Sequence, residues 1–293
     1  MKGILLAGGH GSRLYPLTAV SSKQLVALYN KPLVYYPLTT MMLAGIREIL
    51  VVTTPGDVDS FRALLRDGSQ WGVSIEYATQ PEPKGIAQAL IIGSGFVGAD
   101  PVMLILGDNL IYGNLDFLRD AIAQRAETDA VIFAYRVSNP EDYGVVDFDE
   151  SGRAVSLEEK PTNPSSRWAV PGLYIYPPGV ADLATTLAPS ARGEIEITDL
   201  NSRYLEQGKL MVRTMPRGIA WLDTGTPHSL LLAANFIEAV ETRQGLIIGS
   251  PEESALRMRF LGADELLRWV STIPASSYRT YLEGLCIEVG LGL

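Results

Sequence analysis

A three-layer α/β fold, with a mostly parallel sheet and helices on both faces, is what this sequence predicts, and two observations predict it. Apolar runs rich in β-branched residues recur at residues 3–7, 49–53, 74–78, 102–106 and 130–137. Each is long enough for one buried strand and too short for a membrane span. Between the early runs lie stretches with helical spacing. Residues 33–43 are apolar almost all round, Phe61, Leu64 and Leu65 share a face, and so do Leu115, Leu118, Ala121 and Ile122. Strands alternating with helices imply a parallel sheet covered on both sides.

The first run opens into Gly8-Gly9-His10-Gly11-Ser12-Arg13, and Ser22-Lys23-Gln24 follows. Three glycines within four residues leave no Cβ in the path of a ligand, and bare N–H groups beside Arg13 and Lys23 suit a polyphosphate. Glycines alone fit an ordinary strand-to-helix turn equally well. Ligands of such sheets bind beyond the carboxyl ends of the strands. Gly107-Asp108-Asn109 also stands directly after an apolar run, so it is expected to share a crevice with the glycine loop. From Asn139 onward, prolines and glycines punctuate short strand-like pieces at 144–148, 155–159 and 169–176. They read as a smaller lobe on the substrate side. Residues 210–215 read as a return strand. Helical spacing resumes after Pro227 through Leu230, Leu231, Ala234, Ile237 and Val240, and again in the tail from Pro251. That tail suits an oligomer contact or packing on its own domain.

The chain has 293 residues, 47% of them hydrophobic, enough for one large core. A formal net charge of −9 disfavours nucleic acid as a partner. A few local cations still suffice for a small anionic substrate. One cysteine, Cys286, leaves no internal disulfide and no cysteine cluster for a metal. With neither a signal-like start nor an apolar run of membrane length, the expectation is a cytoplasmic protein with no membrane partner. No Gly-x-x-x-x-Gly-Lys-Ser/Thr loop is present, and Leu14 stands where a dinucleotide fingerprint needs its third glycine. Two histidines, His10 and His228, offer little for a zinc site or a Ser-His-Asp triad.

Two carboxylates stand out by context, Asp108 after its apolar run and Asp223 in Trp221-Leu222-Asp223-Thr224-Gly225-Thr226. One or two carboxylates plus substrate phosphates is how proteins usually hold Mg²⁺, although each aspartate alone also fits a turn or cap. Glu158-Glu159-Lys160-Pro161 and Arg192-Gly193-Glu194-Ile195-Glu196-Ile197-Thr198 are further charge clusters, each readable as a plain solvated run or helix start.

Taken in order, these pieces resemble the sugar-1-phosphate nucleotidylyltransferases, most closely the short thymidylyltransferases that act on glucose 1-phosphate. The carriers are 6–9 and 13–16, Ser22-Lys23-Gln24-Leu25, Asn30-Lys31-Pro32 with 35–38, 45–49 and Leu106-Gly107-Asp108-Asn109. They continue with Tyr143-Gly144-Val145-Val146, Leu157-Glu158-Glu159-Lys160-Pro161, Gly172-Leu173-Tyr174, 192–199 and 221–226. The resemblance implies a Rossmann-like sheet of the nucleotide-diphospho-sugar transferase type. It would carry a small sugar-side lobe and a helical C-terminal tail. Residues 1–240 would form the transferase domain, with a nucleotide half at 1–135 and a sugar-phosphate half at 136–226, and 241–293 the extension.

Residue by residue, the resemblance implies that Gly8, Gly9, Gly11, Ser12 and Arg13 wrap dTTP. Lys23 would be the catalytic lysine, with Gln24 in the same motif, and Gln80 and Gly85 would read the base. Asp108 and Asp223 would be Mg²⁺ ligands, Asp108 also touching nucleotide. Gly144, Glu159 and Tyr174 would contact the sugar of glucose 1-phosphate, and Lys160 and Arg192 its phosphate, so that Arg13, Lys23 and Lys160 carry the catalysis. A homo-oligomer, commonly a tetramer, is implied as well. His10 and Lys84 depart from the usual pattern, which leaves their roles open. Thymine and uracil differ by one methyl, worth about 1–3 kcal/mol in an apolar pocket, so a uridylyltransferase or another hexose 1-phosphate is the alternative within the class. A catalytically silent nucleotide-sugar sensor is the alternative outside it. Such a sensor would be free to lose Arg13, Lys23, Asp108, Lys160 or Asp223, and all five are present.

Overall fold

The apolar runs become neighbouring strands. In the computed structural model, which describes residues 1–9 and 11–290, the strands in chain order begin with β1 (Lys2–Ala7), β2 (Ala27–Leu28), β3 (Lys31–Pro32), β4 (Glu48–Thr53) and β5 (Ser74–Thr79). Next come β6 (Val102–Leu106), β7 (Asn109–Tyr112), β8 (Ala130–Arg136), β9 (Gly144–Phe148) and β10 (Ala154–Glu159). The last four are β11 (Trp168–Ala169), β12 (Leu173–Tyr176), β13 (Leu210–Thr214) and β14 (Ala220–Asp223). The helices are α1 (Tyr35–Leu43), α2 (Val58–Leu65), α3 (Gln88–Ile92), α4 (Ser94–Val97), α5 (Asp116–Gln124) and α6 (Val180–Thr185). They continue with α7 (Ile197–Glu206), α8 (Pro227–Gln244), α9 (Pro251–Arg257), α10 (Ala263–Val270) and α11 (Ser277–Gly290).

One ten-stranded sheet runs in the order β10-β9-β11-β8-β12-β6-β1-β4-β5, with β13 on the other edge of β8. Strands β5, β4, β1, β6, β8, β13 and β9 point one way, and β12, β11 and β10 point the other. The central strands are apolar on both faces because both are covered. Leu5, Ile49, Val51, Met103 and Ile105 pack toward α1, α2 and α5. Ile4, Leu6, Leu50, Val52 and Leu104 pack toward α3, α4, α6 and α7. Those are the two outer layers.

Two departures from a plain parallel sheet build the crevice. Residues 168–176 serve as one strand interrupted at Val170-Pro171-Gly172. Before the break β11 pairs with β9, after it β12 pairs with β6, and both pieces pair with β8. Pro171 has no N–H to give to a ladder, so the pairing stops there. The sheet therefore opens between Gly144, whose carbonyl accepts from Val170 N at 2.8 Å, and Leu106, whose N–H donates to Gly172 O at 2.8 Å. Separately, β14 pairs antiparallel with β7, setting Asp223 opposite Asn109.

Beyond β14 the chain enters α8. Thr226 accepts from Ser229 N at 3.1 Å while Ser229 Oγ accepts from Thr226 N at 3.0 Å. Pro227 follows the cap and Gly245 ends the helix in the left-handed region, the usual asymmetry of helix ends. α9 lies against α1, and its buried Glu252 and Glu253 accept from the hydroxyls of Tyr278 and Tyr281 on α11. The tail thus packs on its own chain. No helix among the described residues is long and apolar enough to cross a membrane.

Candidate active site

Two cavities meet at the carboxyl ends of β1 and β6. The smaller, about 220 Å³, is lined by the glycine loop with Ser12, Arg13, Lys23, Gln24, Asp108 and Gly225. The larger, about 500 Å³, is lined among others by Arg13, Asp108, Gly144, Glu159, Lys160, Tyr174, Thr198 and Asp223. Arg13 and Asp108 belong to both, so the cavities adjoin where those side chains stand.

Gly8 lies so close to Gln80 that a Cβ there would sit 2.6 Å from Gln80 Oε1. Backbone N–H groups are thereby kept at the cavity wall. His10 lies outside the described residues. Ser22 closes the short turn that carries Lys23, accepting from Gln24 N, while its own N–H donates to Asp57 Oδ1 at 3.1 Å. Lys23 is only 6% exposed, and a cation buried that deeply needs a partner. Its Nζ donates to Asp108 Oδ2 at 2.7 Å.

Asp108 and Asp223 face each other because β7 and β14 are in register. Burial raises the Asp223 carboxyl above its ordinary value and the charge of Asp108 adds to that, against Lys23, Arg13 and the Gly225 N–H. Two like charges and hard oxygen donors fit a divalent cation such as Mg²⁺, the remaining ligands coming from substrate phosphates and water. Among the described residues no group of three or more His, Cys, Asp or Glu could hold a metal unaided.

On the far side, Glu159 Oε2 accepts from Thr198 Oγ1 at 2.6 Å. Gly144 stands beside both groups, its notional Cβ 3.3 Å from Glu159 Oε2. Tyr174 is buried, and that burial, with the charges of Glu159 and Asp108, raises its pKa, leaving it a neutral donor. Lys160 lies exposed in the wall. Arg192 does not line either cavity. Its guanidinium is held by Glu196 and reaches Glu159 at 3.6 Å. Partial burial disfavours its charge, but hydrogen bonds and charges from Glu196, Glu194 and Glu159 raise its pKa overall.

Gln80 is buried, donating to Gln88 Oε1 at 2.7 Å and, at 3.4 Å, to Gly85 O. Gly85 has φ +100°, and a Cβ there would meet Ile195 O at 2.3 Å. Backbone bonds from Ile195 N to Lys84 O and from Ala87 N to Ile195 O join this segment to the sugar-side loop. Lys84 pairs with Glu82 at 2.8 Å on the surface.

Sequence reasoning places Asn109 at the crevice only as part of Gly107-Asp108-Asn109 and assigns it no role of its own. Its Oδ1 accepts from Gly172 N at 3.1 Å and Trp221 Nε1 at 2.6 Å, and its Nδ2 donates to Asp108 Oδ1 at 3.0 Å. Its signal in the sequence is an amide directly after an aspartate at the end of an apolar run.

The nucleotidyl transferase family model matches residues 2–240 of this sequence. The chain belongs to that family. Curated relatives within it include the glucose-1-phosphate thymidylyltransferase of Mycolicibacterium smegmatis, 53% identical over 283 residues, 96% of this chain and 98% of that one. The enzyme of the same name from Neisseria meningitidis is 53% identical over 284 residues, with the same coverage. Among solved structures, a Bacillus anthracis protein in complex with a sucrose has TM-score 0.75 and 37% identity over 80% of this chain and 94% of that chain. A UDP-glucose pyrophosphorylase complexed with UDP-glucose has TM-score 0.70 at 22% identity, covering 83% and 99%. That likeness is one of fold. Membership in a nucleotidyl transferase family agrees with paired cavities that share one cationic and one carboxylate side chain.

Proposed function

We infer that the chain transfers a thymidylyl group from dTTP to α-D-glucose 1-phosphate, giving dTDP-glucose and pyrophosphate. The observation that carries this reading is the meeting of a glycine-lined cavity with a larger polar one at Arg13 and Asp108. The names of the relatives support the choice of base and sugar.

The attacking oxygen belongs to a phosphate monoester whose second pKa is about 6, so it is already an anion at neutral pH. No histidine base is needed. It attacks the α-phosphorus of dTTP as pyrophosphate departs in line. The chain's task is to bring two anions together and hold them there. Arg13 and Lys23 neutralise the triphosphate, with Gly8, Gly9, Gly11 and Ser12 around it, and Lys160 and Arg192 neutralise the sugar phosphate. Gln80 and Gly85 with Gln24 fix the nucleoside, while Gly144, Glu159 and Tyr174 fix the hexose. Asp108 and Asp223 would hold Mg²⁺, which would supply positive charge to screen the repulsion between the phosphates. The working protein is cytoplasmic and a homo-oligomer, tetrameric by its sequence resemblance. Light scattering that reads a monomer overturns that last assignment.

The test is pyrophosphate release with Mg²⁺ and glucose 1-phosphate, run in parallel with dTTP, UTP, ATP, CTP and GTP. Release with dTTP well above the others is expected. Preference for another nucleotide, or release with none, overturns the reading.

A further inference from the structure

Arg192 stands outside the sugar cavity's wall, yet its surroundings are built with more care than a surface ion pair needs. Glu196 is only 10% exposed at its side chain, whereas Arg192 is 45% exposed. Glu196 Oε1 accepts from Ser190 Oγ at 2.7 Å, from Arg192 Nε at 3.2 Å and from Arg192 Nη2 at 2.9 Å, and Oε2 accepts from Nη2 at 2.9 Å. Ser190 Oγ in turn accepts from Arg192 N at 3.2 Å. A buried carboxylate thus grips the Nε–Nη2 edge of the fork and fixes a side chain that would otherwise sample many rotamers. The same Nη2 lies 3.6 Å from Glu159 Oε1, and Glu159 lines the cavity. Glu194 Oε2 also lies 3.7 Å from Nη2, and among the described residues Nη1 makes no hydrogen bond, so the Nε–Nη2 edge is held and Nη1 is left for an anion.

We propose that Glu196, seated by Ser190, is the positioning residue that aims Arg192 at the phosphate of the sugar substrate. This rests on the reading of Arg192 as a phosphate contact. The carboxylate touches no substrate. It sets the orientation of the cation that does, and so governs binding of the sugar phosphate and not of the nucleotide.

The experiment is a double-mutant cycle on the full-length protein with Mg²⁺, measuring KM for glucose 1-phosphate and for dTTP separately. Glu196→Gln is expected to raise the glucose 1-phosphate KM about tenfold while the dTTP KM and kcat stay within about twofold. In an Arg192→Met background the same substitution is expected to add nothing. An equal effect with and without Arg192 overturns the proposal, since Glu196 then acts through the fold. A fall in the glucose 1-phosphate KM also overturns it, since Glu196 then competes with the phosphate. If Arg192→Met alone leaves that KM unchanged, the phosphate-contact reading fails first and the proposal with it. Ser190→Ala removes one bond to Glu196 and provides the test should Glu196→Gln not fold, with a rise of about threefold expected and no rise counting against the proposal.

Discussion

The two cavities are made by different means. The glycine-lined one presents bare backbone at Gly8, Gly9, Gly11 and Gly225 beside Arg13, Asp108 and the buried cation Lys23. The larger one is lined by charged, polar, aromatic and aliphatic side chains brought by strands and by α7 and α8 from far apart in the chain. A backbone cradle recognises what all nucleoside triphosphates share. A side-chain cradle can be retuned one residue at a time. Specificity for the sugar is therefore expected to be easier to change than the handling of phosphate.

Asp223 is where the comparison can be broken hardest, because it lines the larger cavity and its charge works against that of Asp108, which both cavities share. Asp223→Asn is expected to lower kcat by about 10²–10⁴ while leaving the fold intact; steady-state kinetics beside circular dichroism check it. The same substitution is expected to raise Tm at neutral pH. Burial and Asp108 raise the folded-state pKa of Asp223, so the folded chain holds that proton more tightly than the unfolded one. Stability then falls as pH climbs from the ordinary aspartate value through the raised one, and the loss persists above it. Thermal melts against pH should show this slope flattened in the variant.

Next in size is Lys160→Met, expected to raise the glucose 1-phosphate KM about 10–100-fold, the worth of a charged hydrogen bond, with a much smaller change for dTTP. A shift of the dTTP KM instead would erase the division between the two cavities. Asn109→Ala orphans the Trp221 and Gly172 N–H groups. It should cost about 1–3 kcal/mol in denaturant unfolding and lower kcat as Asp108 loosens. Smallest is Thr226→Ala, which removes the cap of α8 for about 1 kcal/mol and should barely touch either KM.

The same contrast decides what the sequence discloses. Strands β1, β4, β6 and β8 are legible because burial on both faces demands continuous apolar runs, edge strand β5 keeps only Ile75 buried, and the glycine loop is legible because it is local. The pairing of β7 with β14 is not. Each is four residues long, too short for a period, and Asp223 meets Asn109 across more than a hundred residues. For Asn109 the bond to Trp221 is hidden for the same reason. Arg192 is an intermediate case. Glu194 and Glu196 beside it are visible in the sequence, so an internal ion pair could have been weighed against a phosphate contact, but Glu159 reaches it only through the fold. The sequence reads residues 169–176 as one piece, since a proline in an apolar stretch does not reveal which neighbour is lost and which gained.

The distance between β7 and β14 along the chain also has a consequence for assembly. Contacts between distant residues carry the greater loop-closure cost and form late, and chains made on the ribosome emerge amino end first. The parallel half can gather around β1 while residues 220–223 are still unmade. A nascent chain at that stage carries the glycine loop, Lys23 and Asp108 but not yet Asp223. The second carboxylate arrives only when β14 docks, so the site capable of chemistry is completed after the parallel half that carries its first carboxylate.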